Sequence, residues 1–204
     1  MSDLGAYKIN PKMRLCSKYL KLNWIPTSPG MLQAACPSSC TTKDCWVTAR
    51  QCRVLIQQIG SELDIYYLTD VDWENRLLHA WIRKRIKEYV YTLAEIILPD
   101  RLHMWERIHN IHVPDGVIVK KLRQNTLGYC TGRKIALSPK ILLLPEPDMD
   151  SVILHEMAHL KHMHHRKSFW NHLTTLLGED SQVQKLEMDI RSAAFYAYSD
   201  YLLK

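Results

Sequence analysis

The spacing of apolar residues predicts helices over much of the chain. Across residues 72–98, apolar side chains recur every three or four positions, which is the period of an amphipathic helix, and Pro99 is expected to end this helix. A second helix is predicted over residues 101–111. After the segment PEPDMD the chain is expected to return to helix at about Asp148, since aspartate suits an N-cap. Helices then extend to the C-terminus, with a break at Gly178.

Three short segments have the composition of β-strands. Residues 63–68 (LDIYYL), 117–122 (VIVKKL) and 134–138 (KIALS) are rich in apolar residues, many of them β-branched or aromatic. The tetrapeptide CTGR lies between the last two segments and contains a glycine suited to a turn. The chain is therefore predicted to be an α+β protein, mostly helical, with one small antiparallel sheet.

The first third of the chain has the weakest pattern. Residues 1–44 show no sustained period and contain several prolines, which predicts an irregular or lightly structured lead-in. Residues 46–63 are predicted to be helical, because their apolar residues would share one helical face. We therefore expect an N-terminal lead-in of uncertain structure over residues 1–70 and the main domain over residues 71–204.

Composition and charge are those of a globular protein without a membrane-spanning segment. Apolar residues make up 47% of the chain and charged residues 24%, as in ordinary globular proteins. The net charge of +6 would suit a polyanionic partner such as nucleic acid or a nucleotide, but many globular proteins carry as much. Charged residues interrupt the N-terminal region, and no run of about eighteen apolar residues occurs, so neither a signal peptide nor a membrane span is predicted. We expect a cytoplasmic protein, and its oligomeric state is left open.

Four of the six cysteines are clustered in the segment CPSSCTTKDCWVTARQC. In a reducing compartment such residues are thiols or metal ligands rather than disulfides. Cys36, Cys40, Cys45 and Cys52 lack the paired C-x2-C spacing that makes a structural zinc site persuasive. The spacing favours unligated, partly buried thiols and leaves a second metal site open.

The segment SVILHEMAHLKHMHHRKSFWNH contains six of the ten histidines and carries the strongest chemical signal. His155 and His159 are four residues apart, so on a helix they lie on adjacent turns, about 6 Å apart along the axis. Two imidazoles in these positions can share one zinc ion, and Glu156 beside the first can accept a proton from water. This H-E-x-x-H arrangement predicts a zinc site with Glu156 as the catalytic base.

A catalytic zinc ion needs a third protein ligand and one open position. His165 follows His159 by six residues, far enough for the chain to leave the helix and approach from another direction, and it is the expected third ligand. The extended motif H-E-x-x-H-x-x-G-x-x-H has this spacing but a glycine where the chain has His162, so a different turn is expected. Glu179 or Glu187 remains an alternative third ligand.

The segment VILHEMAHLKHMHHRKSFW resembles the signature of the YgjP-like metallopeptidase-domain family, approximately V-x-H-E-L-x-H-L-x-x-x-N-H-S-x-x-F-W. Upstream, LGYC and IALS are similar to that family's W-G-S-C element and I-x-L-N strand, and Gly128 and Cys130 match. The resemblance covers about residues 72–180. It implies a zincin-like metal-dependent hydrolase with the sheet beside the H-E-x-x-H helix and the third histidine at His165.

The leading functional hypothesis is a metallopeptidase that uses Zn²⁺ and Glu156 to activate water against a peptide or protein substrate. The segment 134–138 would align an extended peptide by edge pairing. Tyr129, Arg123 and His172 are candidate oxyanion partners. Phe169 and Trp170 are expected to anchor the next helix and to orient His165.

Two alternative functions remain. The resemblance also admits pyrophosphate-bond hydrolysis of a nucleoside triphosphate, although the chain has no glycine-rich phosphate-binding loop. A non-catalytic zinc-containing module that binds nucleic acid is the other alternative. It would require a closed site, with His162 or Cys130 as the fourth ligand.

Overall fold

The computed structural model describes residues 9–15, 17–36, 43–48, 51–123 and 125–203, apart from the side chains of residues 189–194 and 197. The chain divides into two compact units, one comprising Met1–Tyr89 with Tyr201–Leu203 and the other Val90–Asp200 with Lys204. In the described ranges, no helix combines the length and the apolar character that crossing a bilayer requires. The domain boundary placed at residue 70 stays a prediction.

A four-stranded mixed sheet lies in the first unit. Its strands are β1 (Lys21–Thr27), β2 (Cys45–Thr48), β3 (Gln51–Ile59) and β4 (Glu62–Leu68). Their spatial order is β1-β4-β3-β2, with β1 parallel to β4 and the other pairs antiparallel. A short helix, α1 (Pro29–Ala35), follows β1, and its Leu32 is buried with Leu55 and Leu68 of the sheet.

The first third of the chain contains more regular structure than predicted, and the helix predicted there is wrong. The lead-in contains β1 and α1, and the segment predicted to be helical, residues 46–63, contains β2, β3 and the start of β4. Val54, Leu55 and Ile56 are consecutive and all buried, and such a short apolar run fits a buried strand as well as a helix. Gly60 has φ 61°, the left-handed conformation that a tight hairpin turn between β3 and β4 requires. The strand predicted at residues 63–68 is confirmed as part of β4.

The second unit is mostly helical, as predicted. Its elements are the C-terminal part of α2 (Arg76–His109), β5 (Val117–Val119), β6 (Gly128–Cys130), β7 (Ile135–Leu137), a short 3-10 helix (Pro139–Leu143), α3 (Glu146–Ala158), α4 (Lys167–Leu177) and most of α5 (Ser181–Leu203). The class α+β is therefore confirmed. Gly178 ends α4 in a left-handed conformation, φ 75°, which confirms the predicted break.

The helix predicted to stop at Pro99 continues through it as α2. Proline removes one helical hydrogen bond, yet the flanking residues Leu98 and Leu102 are both fully buried. The Arg101 guanidinium also binds both carboxylate oxygens of Asp150 on α3, at 2.6 and 2.5 Å. These tertiary contacts hold the helix together across the proline.

The small sheet of the second unit has the order β5-β7-β6. β7 pairs in parallel with β5 and antiparallel with β6, so the sheet is mixed. The CTGR turn joins β6 to β7, where Gly132 has φ 85°. Because β7 is the central strand, the predicted edge pairing of a peptide with residues 134–138 is wrong. β6 is an edge strand, and it contacts α3.

The helix α3 begins at Glu146, two residues before the predicted start. Pro145 occupies the N-cap position and no side chain caps the helix, so the prediction of Asp148 as the cap is wrong. Asp148 lies in the first turn, where a carboxylate interacts favourably with the helix dipole. Most residues of α3 are buried, which makes this helix the centre of the second unit.

Candidate metal centre

The helix α3 supplies the first part of the candidate site. Ile153 and Met157 are fully buried on one face of α3, whereas His155 is only half-buried on another. The helix ends at Ala158, and His159 follows as its C-cap in a right-handed helical conformation, φ −68° and ψ −18°. His155 and His159 are therefore still one helical turn apart, and their ring centroids lie 5.0 Å from each other.

The turn after α3 is made without glycine. The His162 amide donates a hydrogen bond to the Ala158 carbonyl at 3.1 Å, which continues the helical pattern for one more turn. The His162 carbonyl lies 2.8 Å from His159 Nδ1, so it accepts a hydrogen bond from that nitrogen when Nδ1 is protonated. His162 does not have a positive φ angle; among the described residues other than glycine, Asn110 and Asn125 do. The hydrogen bond directs the other ring nitrogen of His159 away from His162, as for histidines that bind metals.

His165 lies beyond the end of α3 and faces both helical histidines. Its Nε2 atom is 3.0 Å from His155 Nε2, and its ring centroid is 4.7 Å from that of His159. One ring nitrogen from each of the three histidines lies within 4.8 Å of the others. Ligands at about 2.1 Å around a tetrahedral zinc ion lie about 3.4 Å apart, so this spacing is close to that of a zinc site.

Phe169 and Trp170, at the start of α4, hold the three imidazoles. Phe169 is fully buried, and its ring centroid lies between 4.6 and 4.9 Å from those of His155, His159 and His165. The Trp170 indole donates a hydrogen bond to the His165 carbonyl at 3.0 Å. The predicted anchoring role of both aromatic residues thus has a direct structural basis.

The environment favours the neutral form of two of the three histidines, His155 and His165. Burial, together with the smaller effects of positive charge on His159, His165 and Lys185, lowers the pKa of His155 to about 3. Burial, His159 and His164 also lower the pKa of His165. A neutral imidazole has a free lone pair on one nitrogen, which is the form that binds a metal ion.

Glu156 is buried beside the histidines, and its carboxylate is poorly solvated. Its side chain is 6% exposed, and Oε2 has no hydrogen-bond partner in the described part of the chain. Burial raises the pKa of Glu156 to about 8. A carboxyl group with a pKa near neutrality is suited to accept and release a proton.

The backbone of β6 approaches the Glu156 side chain closely at Gly128. A Cβ atom at Gly128 would lie 2.8 Å from Glu156 Cγ and 2.9 Å from Oε1. Any larger residue would therefore have to displace the carboxylate. Glycine at this position leaves room for the buried glutamate.

A cleft of about 330 Å³ opens beside His155, the one histidine of the three that lines it. His155, Glu156 and Gly128 line one part of it. Gln184, Lys185 and Tyr196 of α5 also line it, together with Asn125, Thr126, Leu127, Ser151, Val152, Trp170, Leu173, Ser181 and Met188. A substrate in this cleft would contact both Glu156 and α5.

Other residues considered from the sequence lie outside this arrangement. In the described residues, no side chain of Glu179, Glu187, His162 or Cys130 joins the group of three histidines. The rings of His162 and His172 lie 5.5 Å apart, and burial raises the pKa of the Cys130 thiol. Tyr129, Arg123 and His172 do not line the cleft.

The sequence interpretation missed the contribution of α5. Ser181, Gln184, Lys185 and Met188 follow the i, i+3, i+4, i+7 spacing of one helical face. Gln184 accepts a hydrogen bond from the Ser151 hydroxyl of α3 at 2.7 Å, which joins the two helices. The polar composition of this face was the available signal, but only the structure shows that it borders the cleft.

Comparison with known proteins identifies one family. A family model described as YgjP-like, metallopeptidase domain, matches residues 21–189. The match therefore includes the sheet of the first unit as well as the histidines. No curated protein and no solved structure matches the chain significantly.

Proposed function

The chain belongs to the YgjP-like metallopeptidase domain family, and on this premise we propose that it is a zinc-dependent hydrolase of peptide bonds. We propose His155, His159 and His165 as the zinc ligands and Glu156 as the catalytic base. The observation that carries the proposal is the convergence of three imidazoles beside a buried carboxylate.

The donor set supports a metal ion, and it supports zinc in particular. Three imidazole nitrogens leave one position of a tetrahedral ion open, as in catalytic zinc sites. Among the described residues no fourth His, Cys, Asp or Glu joins this group, which argues against a closed structural site. The hydrogen bond between His159 and the His162 carbonyl is the outer contact that zinc-binding histidines commonly make.

The chain's own residues would handle the proton. When bound, zinc supplies Lewis-acid chemistry: it lowers the pKa of water toward about 7 and polarises a carbonyl group. Glu156 accepts the proton of the attacking water at a carboxylate oxygen and then donates it to the leaving amine. The low polarity around Glu156 makes its protonated form accessible near neutral pH.

The edge strand β6 is suited to orient an extended substrate. It lies against α3, and in the described part of the chain it pairs only with β7. A peptide could add to its open edge through backbone hydrogen bonds, next to Glu156. Lys185 is the one lysine or arginine among the described residues that line the cleft, so we propose its side chain as the partner of the developing oxyanion.

The test compares the zinc-loaded wild type with two glutamine variants on denatured casein. Glu156→Gln should keep the zinc content and lose peptide hydrolysis by at least about a hundredfold, since general base catalysis contributes that much. Glu179→Gln is the matched control, because Glu179 is an exposed glutamate outside the histidine group. It should keep both zinc content and activity.

The outcomes separate the competing functions. Full activity in zinc-loaded Glu156→Gln would overturn the assignment of the base. Turnover of a nucleoside triphosphate panel without peptide hydrolysis would replace the substrate class. Salt-dependent DNA binding that is unchanged in Glu156→Gln, with no hydrolysis of either substrate, would favour the non-catalytic module.

A further inference from the structure

Three cysteine sulfurs converge in the first unit, whereas the three histidines belong to the second. Cys36 is the C-cap of α1, Cys45 is the first residue of β2, and Cys52 lies in β3. Their Sγ atoms all lie within 4.8 Å of one another, and those of Cys36 and Cys45 are 3.2 Å apart. Thiolates around a tetrahedral zinc ion at about 2.3 Å lie about 3.8 Å apart, so the three sulfurs are close to that geometry.

The surrounding fold holds these sulfurs in place. Cys45 is 4% exposed and packs in the apolar core formed by Leu32, Leu55 and Leu68, and Cys36 and Cys52 pack against that core. The Gln57 side-chain amide donates a hydrogen bond to the Ala35 carbonyl at 3.3 Å, which ties the end of α1 to β3.

The β2–β3 pairing is irregular next to the cysteines. Its register shifts between Trp46 and Val47, so that Cys45 pairs with Leu55 while Val47 pairs with Cys52. Such irregularities change the direction of side chains along a strand. The convergence therefore depends on the sheet and α1 rather than on a short C-x2-C loop.

We propose that the reduced protein binds a second zinc ion through the thiolates of Cys36, Cys45 and Cys52. The ion would link the end of α1 to β2 and β3 and stabilise the first unit. The described residues supply three ligands, so water would complete its tetrahedral coordination. Cys40 lies outside the described residues and is not part of the proposed ligand set. The proposal is independent of the histidine site, because the two sites share no residue.

Reduction must come before metal binding. The structure carries Cys45 in a disulfide, whereas Cys36 and Cys52 are free thiols. A dithiol or phosphine reductant supplies the two electrons, and two protons complete the conversion of that disulfide to two thiols. Zinc then displaces the protons of the three ligand thiols, which are released to solvent.

The test uses full-length protein in which the histidine site has been removed by His155→Ala and His159→Ala. After reduction, this double variant is titrated with Co²⁺, whose tetrahedral thiolate complexes absorb through charge-transfer and d–d bands. We expect one equivalent of cobalt with thiolate bands. Adding Cys52→Ser should abolish the bands, whereas adding Cys130→Ser should leave them unchanged, since Cys130 lies in the other unit.

A second measurement does not depend on the folding of any cysteine variant. In the reduced double variant, which keeps all its natural cysteines and lacks the histidine site, one equivalent of zinc should slow the reaction of three thiols with a disulfide reagent and should raise the Tm. Absence of thiolate bands in the reduced double variant would overturn the proposal. It would equally be overturned by bands that persist after Cys52→Ser, or by thiols that zinc leaves unprotected.

Discussion

Glu156→Gln should stabilise the metal-free protein, and increasingly so as the pH rises. Burial raises the pKa of the Glu156 carboxyl from 4.5 to about 8, and Oε2 has no partner in the described chain. Below pH 4.5 the carboxyl is neutral in both the folded and the unfolded state. Between pH 4.5 and about 8 the carboxyl is ionised in the unfolded state and still protonated in the folded state. The unfolded state is therefore favoured increasingly over this range, and the free energy of unfolding of the wild type falls.

The size of the effect follows from the difference between the two pKa values of Glu156. Each pH unit between the two pKa values lowers the free energy of unfolding by about 1.4 kcal/mol. The interval from 4.5 to about 8 therefore corresponds to a total of about 5 kcal/mol, of which about 3 kcal/mol is lost by pH 7. The glutamine variant has a similar shape and cannot ionise, so it is expected to avoid this loss.

The assay is urea unfolding in the presence of a chelator, followed by tryptophan fluorescence. Between pH 5 and pH 9 the free energy of unfolding of Glu156→Gln minus that of the wild type should rise by about 4 kcal/mol. Other titrating groups, including His155 with its lowered pKa, affect both proteins and largely cancel in this difference. Exposed Glu179→Gln is the control and should show no trend. A difference for Glu156→Gln that stays constant from pH 5 to pH 9 would refute the reasoning.

Three further substitutions test contacts within the second unit. Gly128→Ala would place a methyl carbon 2.8 Å from Glu156 Cγ and displace the carboxylate. Peptide hydrolysis should then fall by about tenfold or more, with the zinc content retained. An unchanged kcat/KM would show that the space at Gly128 does not position Glu156. Phe169→Leu removes the ring that contacts all three imidazoles, so the affinity for zinc should fall. Competition with a chromophoric chelator measures this affinity, and an unaltered value would show that the ring does not position the ligands. Arg101→Met leaves the buried Asp150 carboxylate without its cation and should lower the free energy of unfolding by about 2 kcal/mol. Urea denaturation measures this loss. An unchanged midpoint would show that the Arg101–Asp150 ion pair does not stabilise the fold.

Local patterns predicted the helical second half of the chain well. The period of α3 and the glycine at the end of α4 both depend on interactions within a few residues, which sequence alone specifies. The same reasoning failed for residues 46–63. A short run of buried apolar residues carries no period that separates a strand from a helix, and strand pairing decided the outcome.

Pro99 is the clearest case of tertiary contacts overriding a local rule. Proline removes one hydrogen bond and crowds the preceding turn, which ends many helices. In α2 the burial of Leu98 and Leu102 and the ion pair of Arg101 with Asp150 outweigh that cost. Asp150 lies 49 residues from Arg101 in sequence, so a local prediction does not include this contact.

The sequence by itself determined the relative positions of His155, Glu156 and His159 on one helix, because helix geometry sets the direction of side chains at this spacing. It also indicated that His165 lies beyond the helix. Only the tertiary structure decided that His165 turns back to meet the other two rings, that Gly128 approaches Glu156, and that α5 borders the cleft. The physical reason is the range of the interactions: helix geometry is set by neighbouring residues, whereas these approaches depend on the packing of Phe169 and on the pairing of β6 with β7.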